Sequence, residues 1–261
     1  MFHWSEENSG FINMTNMKNF LILVVVIFYV TLLSAQGQGR KHKENRNFRI
    51  PLIGETAPSF IAESTGGTIN FPGDFGGKWK VLFSHPQDFT PVCTTEIIEL
   101  AHLQNQFDHL GVQLVVISIG SVDTHIQWIE SMEKLNLNNE GYVKIRFPLV
   151  DDKNLYVSKL YGMVHSESNT TNSVRGVFII DPHDIIQAFL FYPVSIGRSI
   201  DELFRIITAL QATASENVMT PANWKSGNDL LVPVPPKIDA NILPAGYYSP
   251  VWYMLYKKAM R

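Results

Sequence analysis

An α/β layered domain around a central sheet, followed by an extended C-terminal arm, is the fold that this 261-residue sequence predicts. Two observations carry that expectation. Between residues 80 and 212, short apolar runs alternate with stretches whose apolar residues recur at helical spacing, and strands interleaved with helices pack as α/β layers. After Thr220 the prolines at 221, 233, 235, 236, 244 and 250 exclude a long helix. Composition agrees with a globular chain: 45% of residues are hydrophobic and 17% charged, far from the balance of disordered or collagenous sequences. A net charge of −3 gives no electrostatic case for binding nucleic acid.

Taken in order, residues 80–84 (KVLFS) and 113–119 (QLVVISI) read as buried strands bounded by turn residues. Between them, residues 94–109 place Ile97, Ile98, Leu100, Ala101, Leu103 and Phe107 on a helical face that Gly111 closes. A second helix is expected over 123–135, with Ile126, Trp128, Ile129 and Met132 as its apolar face. Residues 174–180 and 185–191 form two more strands around an Asp181-Pro182 turn. Residues 200–212 repeat the helical pattern through Leu203, Phe204, Ile206, Ile207 and Leu210. In the arm, Trp224, Tyr247, Tyr248, Trp252, Tyr253 and Tyr256 need burial against the domain body or a second subunit.

The globular part begins near Phe48. Before it, residues 20–35 (FLILVVVIFYVTLLSA) carry no charge, and Ala35 and Gly37 follow as a small-x-small pair. The run is shorter than the roughly 20 residues of a spanning helix and at the upper edge of a signal-peptide core. Residues 1–35 therefore read as a cleaved signal peptide, with Met17 an alternative start, or as an uncleaved anchor. The basic flank Arg40, Lys41, Lys43, Arg46 and Arg49 resists translocation and keeps the second reading open. Export or membrane tethering is expected over a cytoplasmic location. Residues 36–47 are a polar, basic linker, 48–215 the main domain and 216–261 the arm. Asn169-Thr170-Thr171 is an N-glycosylation sequon, meaningful only on a eukaryotic secretory route.

One cysteine excludes most cysteine chemistry: an internal disulfide, a CxxC pair, an iron–sulfur cluster or a cysteine-rich zinc site. Cys93 and His85, eight residues apart, do not make a zinc centre either, and no metal or cofactor is expected. Cys93 follows an apolar strand and a polar turn with Pro86 and Pro91, and the next helical pattern starts directly after it. That puts the thiol in the first turn of a helix, where unpaired backbone N–H groups and the positive end of the dipole favour an anionic sulfur. Thr90 is placed to be the N-cap or to turn its hydroxyl toward the sulfur. A free cysteine is also often a small buried apolar residue, and position alone leaves both readings open.

The spacing Pro86-x-x-x-Thr90-x-x-Cys93 resembles the active-site signature of the peroxiredoxins, and SHPQDFTPVCTTE at 84–96 resembles their one-Cys subgroup. IPLIGETAPSF at 50–60 is similar to the family's opening segment, and VRGVFIIDP at 174–182 to the strand carrying its active-site arginine. GRSIDELFRIITALQ at 197–211 resembles its closing helix, and PANWKSGNDLLVP at 221–233 the start of its C-terminal arm. The likeness spans about residues 50–235. It implies a thioredoxin-like fold, a central mixed sheet flanked by helices with an extended C-terminal arm.

The resemblance also implies the chemistry. Cys93 as thiolate would attack a peroxide oxygen and become a sulfenic acid, with hydrogen peroxide and organic hydroperoxides as substrates. Arg175 would match the family arginine that favours the thiolate and the charge developing on the peroxide. Thr90 would hydrogen-bond the sulfur or the peroxide, and Pro86 would shield the sulfur. His85 would tune the thiol or steer a reductant, or would simply pack beneath the loop. Glu96 would hold the arginine or cap the helix, and Arg198 would pair with the Cys93 loop or form a surface salt bridge. No resolving cysteine exists in the arm, so an external thiol must regenerate Cys93: glutathione, a thioredoxin-like protein or a small thiol. A homodimer is the family's usual state. The GxSxG lipase motif of some relatives is absent, since 73–80 reads GDFGGKWK. A non-catalytic thioredoxin-like binding or chaperone module is the competing reading, disfavoured by the joint presence of Pro86, Thr90, Cys93 and Arg175.

Overall fold

A computed structural model of the protein describes residues 49–164, 173–234 and 243–259. The expected leader, the linker and the sequon at Asn169 lie outside them. The main sheet has seven strands: β1 (Phe60–Ser64), β2 (Gly67–Phe71), β3 (Trp79–Ser84), β4 (Val112–Ser118), β5 (Leu149–Asp151), β6 (Arg175–Ile180) and β7 (Ile186–Tyr192). Their order is β2-β1-β5-β4-β3-β6-β7. β3, β4 and β5 run parallel, and β6 joins β3 antiparallel, so the sheet is mixed.

Among the described residues four α-helices accompany it: α1 (Pro91–His109), α2 (Val122–Met132), the short α3 (Tyr156–Leu160) and α4 (Ile200–Ser215). Strand alternation sorts the core into two layers. Val81, Phe83, Val116, Val177 and Ile179 face one side with Ile97 and Leu100 of α1, Trp128 of α2, and Leu203 and Ile207 of α4. Leu82, Val115, Ile117, Phe178 and Ile180 face the other, against Phe60, Phe71 and Tyr161. Lys80 is fully buried within this apolar strand because Asp184 pairs with it and the Asp181 carbonyl accepts its Nζ at 3.1 Å.

The interleaved strands and helices stand where their periodicity put them, with β1, β2, β5 and α3 added. The apolar face of α2 differs from expectation. His125, Trp128 and Met132 are its buried positions, while Ile126 is exposed. The helix is rotated so that a histidine enters the core. The arm also departs from a plain extended segment, since β8 (Leu230–Val232), β9 (Tyr247–Val251) and β10 (Met254–Lys257) form a small sheet in the order β8-β10-β9. Of the arm aromatics, Trp224 is buried and Tyr248 stacks on Tyr256. Trp252 and Tyr253 are 80% and 59% exposed in the single chain, so the domain body does not cover them.

Candidate active site

The site follows from the pairing of β3 with β6. β3 ends at Ser84, a short turn over 85–90 follows, and α1 begins at Pro91, whose missing N–H is lost at no cost in the first helical turn. Cys93 therefore lies in that first turn, two residues into the helix. β6 runs opposite to β3 with Phe83 across from Val177, so the antiparallel register carries its first residue, Arg175, past the end of β3 toward this turn. Arg175 alternates with Val177 and Ile179, which face α1, and so it points to the side of the sheet on which Cys93 is buried.

Arg175 Nη1 lies 3.3 Å from Cys93 Sγ and donates to Glu96 Oε2 at 2.7 Å, while its Nε donates to the Val194 carbonyl at 2.9 Å. Glu96, one helical turn after Cys93, binds a second guanidinium. Arg198 donates Nε to Oε1 at 2.8 Å and Nη2 to Oε2 at 2.7 Å, and its backbone N–H also reaches Oε1 at 2.8 Å. The remaining Arg198 nitrogen, Nη1, donates to the carbonyls of Ser84 and Gly176, and the guanidinium stacks 3.4 Å above the Phe83 ring. Burial pulls the Arg198 pKa below the ordinary arginine value, with Glu96 opposing it. All three charged side chains are almost fully buried. Two guanidinium cations face one carboxylate, so a negative sulfur on Cys93 brings the buried cluster to neutrality.

The other predicted residues sit in the turn. Pro86 is buried at the mouth of the strand. Thr90 occupies the N-cap position in extended backbone, but its hydroxyl makes no cap bond; it donates instead to the Gln87 carbonyl at 2.9 Å. Its hydroxyl proton is thus spent within the turn rather than on the sulfur, because the left-handed backbone at Phe89 (φ 55°) folds Gln87 back beneath it. His85 packs beneath the turn against Trp128, ring centroids 4.9 Å apart, and neither ring nitrogen has a hydrogen-bond partner among the described residues. Burial pushes its pKa down to about 3, so the ring is neutral. It makes no hydrogen bond to Cys93, and packing is the reading the geometry favours. Glu96 holds the arginines rather than capping α1, and Arg198 is a buried partner of Glu96, not a surface one.

Sequence reasoning passed over Asp88 and His125. Asp88 looks like an ordinary turn residue, and His125 lies between the apolar positions assigned to α2. Their common signal is a histidine one helical turn before Trp128 on a face that has to be buried.

Comparison with known proteins gives the family. Residues 53–189 match the model of the AhpC/TSA family, and residues 209–241 match that of the C-terminal domain of 1-Cys peroxiredoxin. The chain is a peroxiredoxin of the one-Cys type. A peroxiredoxin of Methanosarcina mazei is 47% identical over 73% of this chain and 88% of its own length. Peroxiredoxin 2 of Caldanaerobacter subterraneus subsp. tengcongensis is 43% identical over 80% of this chain and 94% of its own. A solved yeast mitochondrial 1-Cys peroxiredoxin superimposes with a TM-score of 0.69 at 33% identity, covering 80% of this chain and all of that one. Peroxiredoxin 6 of Arenicola marina superimposes with a TM-score of 0.67 at 31% identity, over 81% and 99%. This peroxiredoxin is a thiol-dependent peroxidase with a thioredoxin-like fold, and its sole cysteine, Cys93, stands at the head of α1.

Proposed function

We propose that Cys93 is the peroxidatic group of this enzyme and that Arg175, Pro86 and Thr90 form its immediate surroundings. The observation that carries this reading is the 3.3 Å approach of Arg175 Nη1 to Cys93 Sγ at a helix N-terminus. The guanidinium N–H and the unpaired N–H groups of the first helical turn both favour negative charge on sulfur. The thiolate attacks the nearer oxygen of the peroxide, an S–O bond forms, the O–O bond breaks, and its electron pair leaves with the departing oxygen. That oxygen takes a proton and departs as water or an alcohol. Arg175, already fixed by Glu96 and Val194, stabilises the charge crossing the O–O bond without having to reorganise.

The cycle closes in two thiol steps. An external thiolate attacks the sulfenic sulfur, an S–S bond forms, the S–O bond breaks, and the departing hydroxide takes a proton from solvent and leaves as water, giving a mixed disulfide. A second thiol then displaces Cys93 as thiolate and carries away the disulfide. Because the chain holds one cysteine, both thiols come from outside it. The yeast 1-Cys relative is described as resolving its thiol through glutathione/thioredoxin systems, and we assign the same class of reductant here. The exposed Trp252 and Tyr253 support a homodimer in which a second copy covers the arm. The uncharged run at 20–35 supports export or tethering to a membrane.

The test of the catalytic assignment is peroxide consumption by the purified protein with a dithiol reductant. Cys93→Ser is expected to abolish it. Equal turnover by the serine variant would overturn the assignment.

A further inference from the structure

Beneath the turn that presents Cys93 lies a buried hydrogen-bonded pair with no part in the chemistry above. Asp88 accepts the Ser118 hydroxyl at 2.8 Å on Oδ1 and faces His125 Nδ1 at 2.7 Å with Oδ2. His125, on α2, is fully buried, and its second nitrogen, Nε2, lies 3.1 Å from the Val150 carbonyl of β5. Asp88 thus ties the turn to β4 through Ser118 and to α2 and β5 through His125. The next residue, Phe89, is half exposed and held at φ 55°, a left-handed conformation that an aromatic residue adopts only under restraint.

The atoms of this pair dictate its proton count. A backbone carbonyl only accepts, so His125 Nε2 carries a hydrogen. An ionised carboxylate also only accepts, so the bond between Nδ1 and Oδ2 needs a second proton, on the imidazole or on the acid. With both N–H groups the ring satisfies Asp88 and the Val150 carbonyl; with one it satisfies only one of them.

We propose that His125 is a positioning residue of the peroxidase reaction: through Asp88 it holds the 85–90 turn in the geometry that presents Cys93. The proposal rests on the peroxidatic role of Cys93 given above. Few other charges reach the pair. His85 Nε2 is 3.7 Å from Asp88 Oδ1 and neutral, and Arg198 lies beyond it, committed to Glu96. Asp152, at the end of β5, is spent on the N–H groups of Val157 and Ser158. On α2 itself, Asp123 is exposed.

Asp88→Asn separates the proton from the contact. An asparagine Nδ2–H donates to neutral His125 Nδ1, and its carbonyl still accepts from Ser118, so no extra proton is needed.

The experiment follows kcat/KM for hydrogen peroxide in the wild type, H125A and D88N at one pH, together with the rate at which iodoacetamide alkylates Cys93. H125A is expected to lose roughly 10–100-fold in kcat/KM, the size of effect that displaced reacting groups produce, and to alkylate faster because Cys93 is otherwise buried. D88N, which keeps a hydrogen bond to His125 and to Ser118, is expected to stay close to the wild type in both readouts. Wild-type rates in H125A, or a loss in D88N equal to that in H125A, overturn the proposal. The alkylation arm needs no turnover: it tests the latch even if C93S shows that peroxide is consumed elsewhere.

Discussion

At the scale of single residues, the site is a contest for two buried guanidinium groups. Glu96 accepts four hydrogen bonds, one from Arg175 and three from Arg198, and that leaves Arg175 oriented so that one nitrogen serves both the carboxylate and the sulfur. A lysine at 175 keeps the charge but not the fork, and one ammonium does not reach the Val194 carbonyl, Glu96 and Cys93 together. Arg175→Lys is therefore expected to fold yet lose about 100-fold or more in kcat/KM for peroxide, on the scale of removing one oxyanion-type donor. Stopped-flow peroxide reduction measures it. A rate near the wild type would show that charge alone suffices. Cys93 and Arg175 were legible in the sequence because each sits in a motif. The hub role of Glu96 was not, since a glutamate on a first helical turn reads equally well as a helix cap. Thr90 was legible as an N-cap position, but the course of its hydroxyl depends on the left-handed backbone at Phe89, which no spacing of residues announces.

At the scale of elements, the β3–α1 connection is where local rules and packing part company. Strand β3 and helix α1 follow from their apolar periods, and Pro91 marks the start of α1. The intervening turn is held by longer-range partners, Ser118 on β4 and His125 on α2, and such pairings are set by topology rather than by neighbours in sequence. The face of α2 was misjudged for the same reason: His125 is polar by type but buried by its partners. Strand β5 has three residues, too few for a periodicity to show. His85, in the same connection, gives a prediction of its own. Burial keeps it neutral with a pKa of about 3, against 6.5 for an ordinary histidine. Between those values the unfolded chain binds a proton that the native one refuses. Its contribution is thus intact above pH 6.5 and is lost as pH falls toward 3. In His85→Met, the slope of unfolding free energy against pH in that window is expected to fall by one proton, about 1.4 kcal/mol per pH unit. Urea titrations at several pH values measure it; an unchanged slope would contradict the neutral, buried ring.

At the scale of the whole molecule, the sheet sets two antiparallel neighbours, β3 and β6, so that their ends deliver the thiol and the guanidinium to one side of one layer. The overall α/β order was legible because it rests on long apolar periods. The small sheet of the arm was not, because its proline-rich sequence fits extended strands and irregular loops alike. That arm leaves Trp252 and Tyr253 in edge-to-face contact with each other and open to solvent. If a second copy covers them, replacing both residues by serine is expected to raise the dimer dissociation constant by at least tenfold, read by sedimentation velocity across a dilution series. An unchanged association would place the dimer contact elsewhere.

Whether this lone cysteine accepts oxygen or only packs as an apolar residue is read from the mass of the protein after one equivalent of hydrogen peroxide. One added oxygen is expected, localised by peptide mapping to Cys93 and removed by a dithiol. A Cys93 thiol left unmodified while peroxide remains in solution would contradict that expectation.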